Sequence, residues 1–107
     1  MSDRPDARAL TRELLAFNTI NPPGMERACA RHLGAILEAA GFRTAYHEFA
    51  EGRTSLVATI GGDPAKAPIC FTGHIDTVPL GAKAWTKDAF AGETDGVEKT
   101  PAWASAI

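Results

Sequence analysis

This 107-residue sequence has little cysteine, no long apolar run and no predominant charge. Its two cysteines, Cys29 and Cys70, are too few for the disulfide framework of a small secreted domain. Each sits among apolar neighbours and reads as a buried thiol in a reducing cytosol, with a structural disulfide as the alternative. Apolar stretches such as residues 14–17 fall far short of the roughly 20 residues that a bilayer-spanning helix needs. The opening Met-Ser-Asp-Arg-Pro-Asp is polar and has no apolar segment behind it, so no secretory signal is read and a cytoplasmic location is expected. Eleven Lys and Arg face thirteen Asp and Glu, a formal net charge of −2. With the two signs well mixed along the chain, neither nucleic acid nor an anionic membrane is expected as a partner. CxxC, heptads, GxSxG and internal repeats are absent, and Gly61-Gly62 is not a phosphate loop. What remains is the balance of a globular domain, 45% hydrophobic and 22% charged, with the length of one small unit.

The pattern predicts a helix over residues 3–18, where Ala7, Leu10, Leu14 and Phe17 form one apolar stripe. Asn21-Pro22-Pro23-Gly24 cannot continue it and reads as an extended turn. A second helix is predicted from about residue 25 to residue 40, burying Cys29, Leu33, Ile36, Leu37 and Ala40 and ending at Gly41. Strands are predicted at 42–49 and 55–60, joined as a hairpin by the Gly-containing loop 50–54. The continuous run Ile69-Cys70-Phe71 predicts a third strand over 68–73, buried on both faces as an interior strand would be. Beyond His74 regularity fades, which marks either a functional loop or a segment missing its partners. This order, two helices, a hairpin and one central strand, implies an α/β layered fold with part of its sheet absent.

Chemistry concentrates in Phe71-Thr72-Gly73-His74-Ile75-Asp76-Thr77-Val78-Pro79. His74 and Asp76 stand two apart at a predicted strand end, so in extended chain both side chains share one face. A neutral imidazole is a good zinc ligand, and a carboxylate beside it can fix its tautomer. The same pair also serves as a purely structural hydrogen bond, and the two residues alone do not decide between these roles.

The surrounding residues carry more. Gly73-His74-Ile75-Asp76-Thr77-Val78-Pro79, then Gly81, Trp85, Phe90 and Asp95-Gly96, resemble the zinc amidohydrolase and peptidase family of acetylornithine deacetylase, succinyl-diaminopimelate desuccinylase, aminoacylase and the carboxypeptidase G type. Leu14-Leu15 and Phe17-Asn18-Thr19-Ile20-Asn21-Pro22-Pro23-Gly24 look like that family's N-terminal helix and turn. The resemblance implies the N-terminal part of a three-layer α/β/α catalytic domain. It implies a centre of two zinc ions, or cobalt, with His74 as a metal ligand and Asp76 as the catalytic acid that orients it. It also implies hydrolysis of an amide or peptide bond in an N-acyl amino acid or small peptide. Paired metals would polarise the carbonyl and hold a hydroxide, with a Glu moving the proton.

The resemblance stops after Val97, where Glu98-Lys99-Thr100-Pro101-Ala102-Trp103-Ala104-Ser105-Ala106-Ile107 replaces the family's Gly-Arg-Gly stretch and its metal-bridging Asp. Residues 1–97 are therefore expected to be a fragment of the hydrolase domain and 98–107 a tail foreign to it, as in a truncated or frame-shifted product. Such a chain is expected to be marginally stable and inactive alone. The alternative is a non-catalytic remnant that associates with a partner, or with itself, through an exposed sheet edge. A small single-metal module using His74, Asp76 and a loop carboxylate is a third reading. His32, on a helix face, and His47, mid-strand, are expected to stay off any metal, Glu93 and Asp95 to be solvated, and Trp85 and Phe90 to anchor the loop.

Overall fold

The computed structural model of the chain describes residues 6–93. Helix α1 spans Ala7–Leu15 and begins where the Asp6 carboxylate accepts the Arg8 N–H at 3.1 Å, an ordinary N-cap. It ends sooner than the apolar stripe predicts. The N–H groups of Ala16 and Phe17 reach back only three residues, to the carbonyls of Glu13 and Leu14, and the helix unwinds into the turn.

Helix α2 spans Arg27–Ala39. Glu26 precedes it without capping it, because its carboxylate is turned to Arg53. The Arg27 N–H is satisfied instead by the Gly52 carbonyl, at 3.0 Å. At the far end Gly41 adopts φ +98°, and the N–H groups of Gly41 and Phe42 bond the carbonyls of Glu38 and Leu37. Those two bonds are the Schellman stop that a glycine in this place predicts.

Strands β1 (Arg43–Ala50) and β2 (Arg53–Thr59) form an antiparallel hairpin with Arg43 opposite Thr59 and Tyr46 opposite Leu56. The connection is Glu51-Gly52, with Gly52 at φ +72°, shorter than the predicted loop. A register shift between Glu48 and Ala50 leaves Phe49 as the extra residue, and this bulge lets the strands run closer to the turn. Helix α2 lies against both strands. Thr44 and Tyr46 of β1 and Leu56 and Ala58 of β2 are half-buried, while Ala45, His47 and Val57 face solvent, the period-2 alternation of a one-sided sheet. Among the described residues only two apolar side chains, Cys29 and Ala30, are fully buried.

The predicted third strand does not form. Residues 68–73 pair with neither hairpin strand, and Ile69 and Phe71 are 79% and 87% exposed. An apolar run signals that something should cover it, but a strand exists only where a neighbour supplies hydrogen bonds. No such neighbour stands among the described residues. Cys70 is exposed for the same reason, against the expectation of a buried thiol, whereas Cys29 is 2% exposed and burial raises its pKa. Both thiols are free. One thiol per chain should therefore react quickly with Ellman's reagent, and the second only after denaturant is added. A fast phase that survives Cys70→Ser would contradict that assignment. The boundary expected at Val97 and the tail 98–107 lie outside the described residues. No helix among those described is long and apolar enough to cross a membrane.

Candidate metal-ligand dyad and its support

The turn after α1 is laced to the segment that carries the histidine. Ile20 and Thr77 form a parallel bridge, in which the Asn21 N–H donates to the Thr77 carbonyl at 2.8 Å and the Thr77 N–H to the Thr19 carbonyl at 3.0 Å. The hydroxyl of Thr19, itself buried, donates to the Ile75 carbonyl at 2.6 Å. Residues 75–77 are thus held in extended conformation, and side chains of alternate residues meet on one face.

On that face His74 and Asp76 come together as the spacing predicts. His74 Nδ1 lies 2.9 Å from Asp76 Oδ1 and 3.1 Å from the Asp76 carbonyl oxygen. Both of these atoms are acceptors, so Nδ1 carries a proton, and in the neutral ring Nε2 keeps the lone pair. The ring is largely exposed, at 74% for the side chain, while the Asp76 side chain is half-buried. The other carboxylate oxygen, Oδ2, accepts from Asn21 Nδ2 at 3.1 Å. The Asn21 amide and the His74 ring, both donating, hold Asp76 below the usual carboxylate range.

Behind this pair stands a second one. Arg53 donates through Nη2 and Nε to Glu26, at 2.8 Å to Oε1 and 3.2 Å to Oε2, and Glu26 is 4% exposed. Arg53 Nη2 also lies 3.8 Å from Asp76 Oδ2, an electrostatic contact beyond hydrogen-bond reach. A cavity of about 500 Å³ opens beside the dyad, walled by Leu14, Phe17, Val78 and Phe90.

One oriented imidazole with a carboxylate behind it fits a single corner of a metal centre. A tetrahedral zinc site takes three or four protein ligands. Among the described residues no group of three or more His, Cys, Asp or Glu is placed to hold a metal ion. No chemical step through a metal follows from these residues alone. His32 is committed elsewhere, with Nε2 3.1 Å from Glu13 Oε2 and its ring tilted 5.2 Å from that of Phe17. His47 is exposed in β1, and Glu93 faces Lys87 at 3.9 Å. Trp85 donates to the Leu80 carbonyl at 2.9 Å, a bond within the loop itself. Asp95 lies outside the described residues.

No site role for Asn21, Arg53 or Glu26 is read from the sequence. Asn21 reads as turn chemistry before two prolines, and the pair Glu26 and Arg53 stands 27 residues apart with no pattern linking them.

No family model matches this chain, and no solved structure matches it. Curated proteins do. Over 103 residues it is 40% identical to a protein named succinyl-diaminopimelate desuccinylase from Rhodopseudomonas palustris strain BisB18, a match covering 90% of this chain and 25% of that protein. The Phenylobacterium zucineum protein of that name is 39% identical over 91% of this chain and 25% of its own. That of a Wolbachia from Brugia malayi is 35% identical over 86% and 23%. The chain spans about a quarter of the length of these relatives. Over that quarter the chain is similar to proteins named succinyl-diaminopimelate desuccinylase, one of the enzyme types that the block at residues 73–79 resembles.

Proposed function

We propose that this chain carries one metal-ligating imidazole, His74, and its orienting carboxylate, Asp76, for a zinc-dependent hydrolase that cleaves the amide bond of an N-acyl amino acid. The relatives' names favour a succinylated diamino acid as the acyl substrate. The single observation behind the reading is the 2.9 Å contact between His74 Nδ1 and Asp76 Oδ1, which leaves Nε2 exposed with its lone pair. Bound zinc, as two ions or replaced by cobalt, would supply carbonyl polarisation and an activated water. The further ligands and the general base would come from sequence beyond residue 93. Residues 68–73 would then be an interior strand of a three-layer α/β/α domain, covered on both faces. On this reading residues 1–97 belong to that domain and 98–107 do not, and the 107 residues alone neither hold stoichiometric zinc nor turn over substrate.

A second reading is supported by the exposed Ile69 and Phe71: a non-catalytic chain that associates through this unpaired apolar segment.

The test is a chimera in which this chain replaces the matching quarter of the Rhodopseudomonas palustris relative. The chimera should release succinate from N-succinyl-diaminopimelate in a zinc-dependent reaction. His74→Ala should abolish that turnover, and Asp76→Asn should lower it by roughly 10–100-fold, the usual cost of losing a partner behind a metal ligand. Near-normal turnover in His74→Ala would sink the assignment. An inert chimera, together with concentration-dependent self-association of the chain in sedimentation, would favour the second reading.

A further inference from the structure

Asn21 supplies more than a turn. Its backbone already completes the bridge to Thr77, and the Thr19 hydroxyl closes the same junction on Ile75. The docking of the two segments therefore does not need the Asn21 side chain. That side chain donates instead to Asp76 Oδ2 at 3.1 Å. With Oδ1 on the histidine and Oδ2 on the asparagine, both carboxylate oxygens have a fixed donor, and rotation of the carboxylate would break both bonds.

The nature of the donor matters. An arginine in that place would neutralise the carboxylate and weaken its hold on the imidazole proton. Arg53 is near enough to do so, 3.8 Å from Oδ2, but Glu26 holds it through two nitrogens. A neutral amide at hydrogen-bond distance fixes the carboxylate geometrically and leaves its charge to act on His74.

We propose that Asn21 is a positioning residue. Its amide holds Asp76 so that the opposite oxygen faces His74 Nδ1, which keeps the ring in the Nδ1–H form with the Nε2 lone pair turned outward. Glu26 assists by holding the Arg53 guanidinium 3.8 Å from that carboxylate, beyond hydrogen-bond reach. What this means for catalysis rests on the hydrolase reading above. The orientation of the ring does not, and it is measured without metal or substrate.

The measurement is the tautomer of His74 in the 15N-labelled chain, read from long-range 1H–15N correlations at a pH where the imidazole is neutral and assigned with His74→Gln. In the unsubstituted chain Nδ1–H should predominate, the reverse of free histidine. Asn21→Ala and Asn21→Asp should each produce a several-fold drop in the Nδ1–H to Nε2–H ratio while the amide shifts of α2 and the hairpin stay in place. An unchanged ratio in either variant overturns the proposal, even if that variant melts earlier. A free-histidine ratio in the unsubstituted chain overturns it too. If both variants unfold, the asparagine is structural and the proposal also fails. A chimera without hydrolytic activity leaves this result untouched.

Discussion

Replacing Ile69 and Phe71 together by serine should lower the ANS binding and aggregation of the chain while leaving its stability nearly unchanged. Both side chains stand in solvent, and residues 68–73 have no strand partner among the described residues. Substitutions at such positions usually fall within about 0.5 kcal/mol of neutral. Exposed apolar side chains such as Phe49, Val57, Ile60 and Val78 add to the dye-binding surface and to the risk of association. The buried side is small by contrast. With Cys29 and Ala30 as the only fully buried apolar residues among those described, the chain should melt broadly, at low temperature and with low enthalpy.

The same substitution should behave oppositely in the chimera with a desuccinylase relative. If residues 68–73 become an interior strand there, Phe71→Ser deletes a buried ring, at a cost of about 3–5 kcal/mol. Thermal melts of the two proteins, each with and without the substitution, decide the matter. A loss above about 1 kcal/mol in the chain alone would mean that Phe71 is buried there after all. No loss in the chimera would remove the interior-strand reading.

What the sequence made legible was whatever its own neighbours decide. The Gly41 stop depends on bonds spanning a few residues, and so does the Asp6 start. The hairpin follows from alternation and a turn glycine, although the bulge at Phe49 moved its ends. The meeting of His74 and Asp76 needs only an extended chain between them. The third strand failed because its partners would have to be supplied from elsewhere, and an apolar run cannot say whether they are. Cys70 went with it. Asn21, Arg53 and Glu26 were illegible for a different reason, since their roles depend on which distant segment arrives beside them, 55 residues away from Asn21 for Asp76. Family resemblance pointed to the dyad and took in Asn21 only as part of a turn, with no role beside Asp76.

Gly34 should tolerate no side chain, and Gly34→Ala is expected to destabilise the chain by about 1–3 kcal/mol, the range for overfilling a packed contact. On propensity alone the sign would be the reverse, since alanine in place of glycine gains up to about 1 kcal/mol in a helix interior. Space decides it. A Cβ at Gly34 would lie 1.9 Å from Tyr46 Oη and 2.8 Å from its Cζ, far inside ordinary contact. Swinging the ring away would break its contact with the Arg31 guanidinium, which sits over it 4.2 Å from its centre. Relief therefore requires α2 to part from β1, and with it from the hairpin, whose two strands are what α2 packs on among the described residues. A loss of that size is large for a domain with so little buried, so much of the population should be unfolded at room temperature by circular dichroism. Tyr46→Val removes the obstacle. The double variant should then be no less stable than Tyr46→Val alone, a strong non-additivity that marks direct contact. Additive losses would show instead that Gly34 matters for some reason other than the approach of this tyrosine.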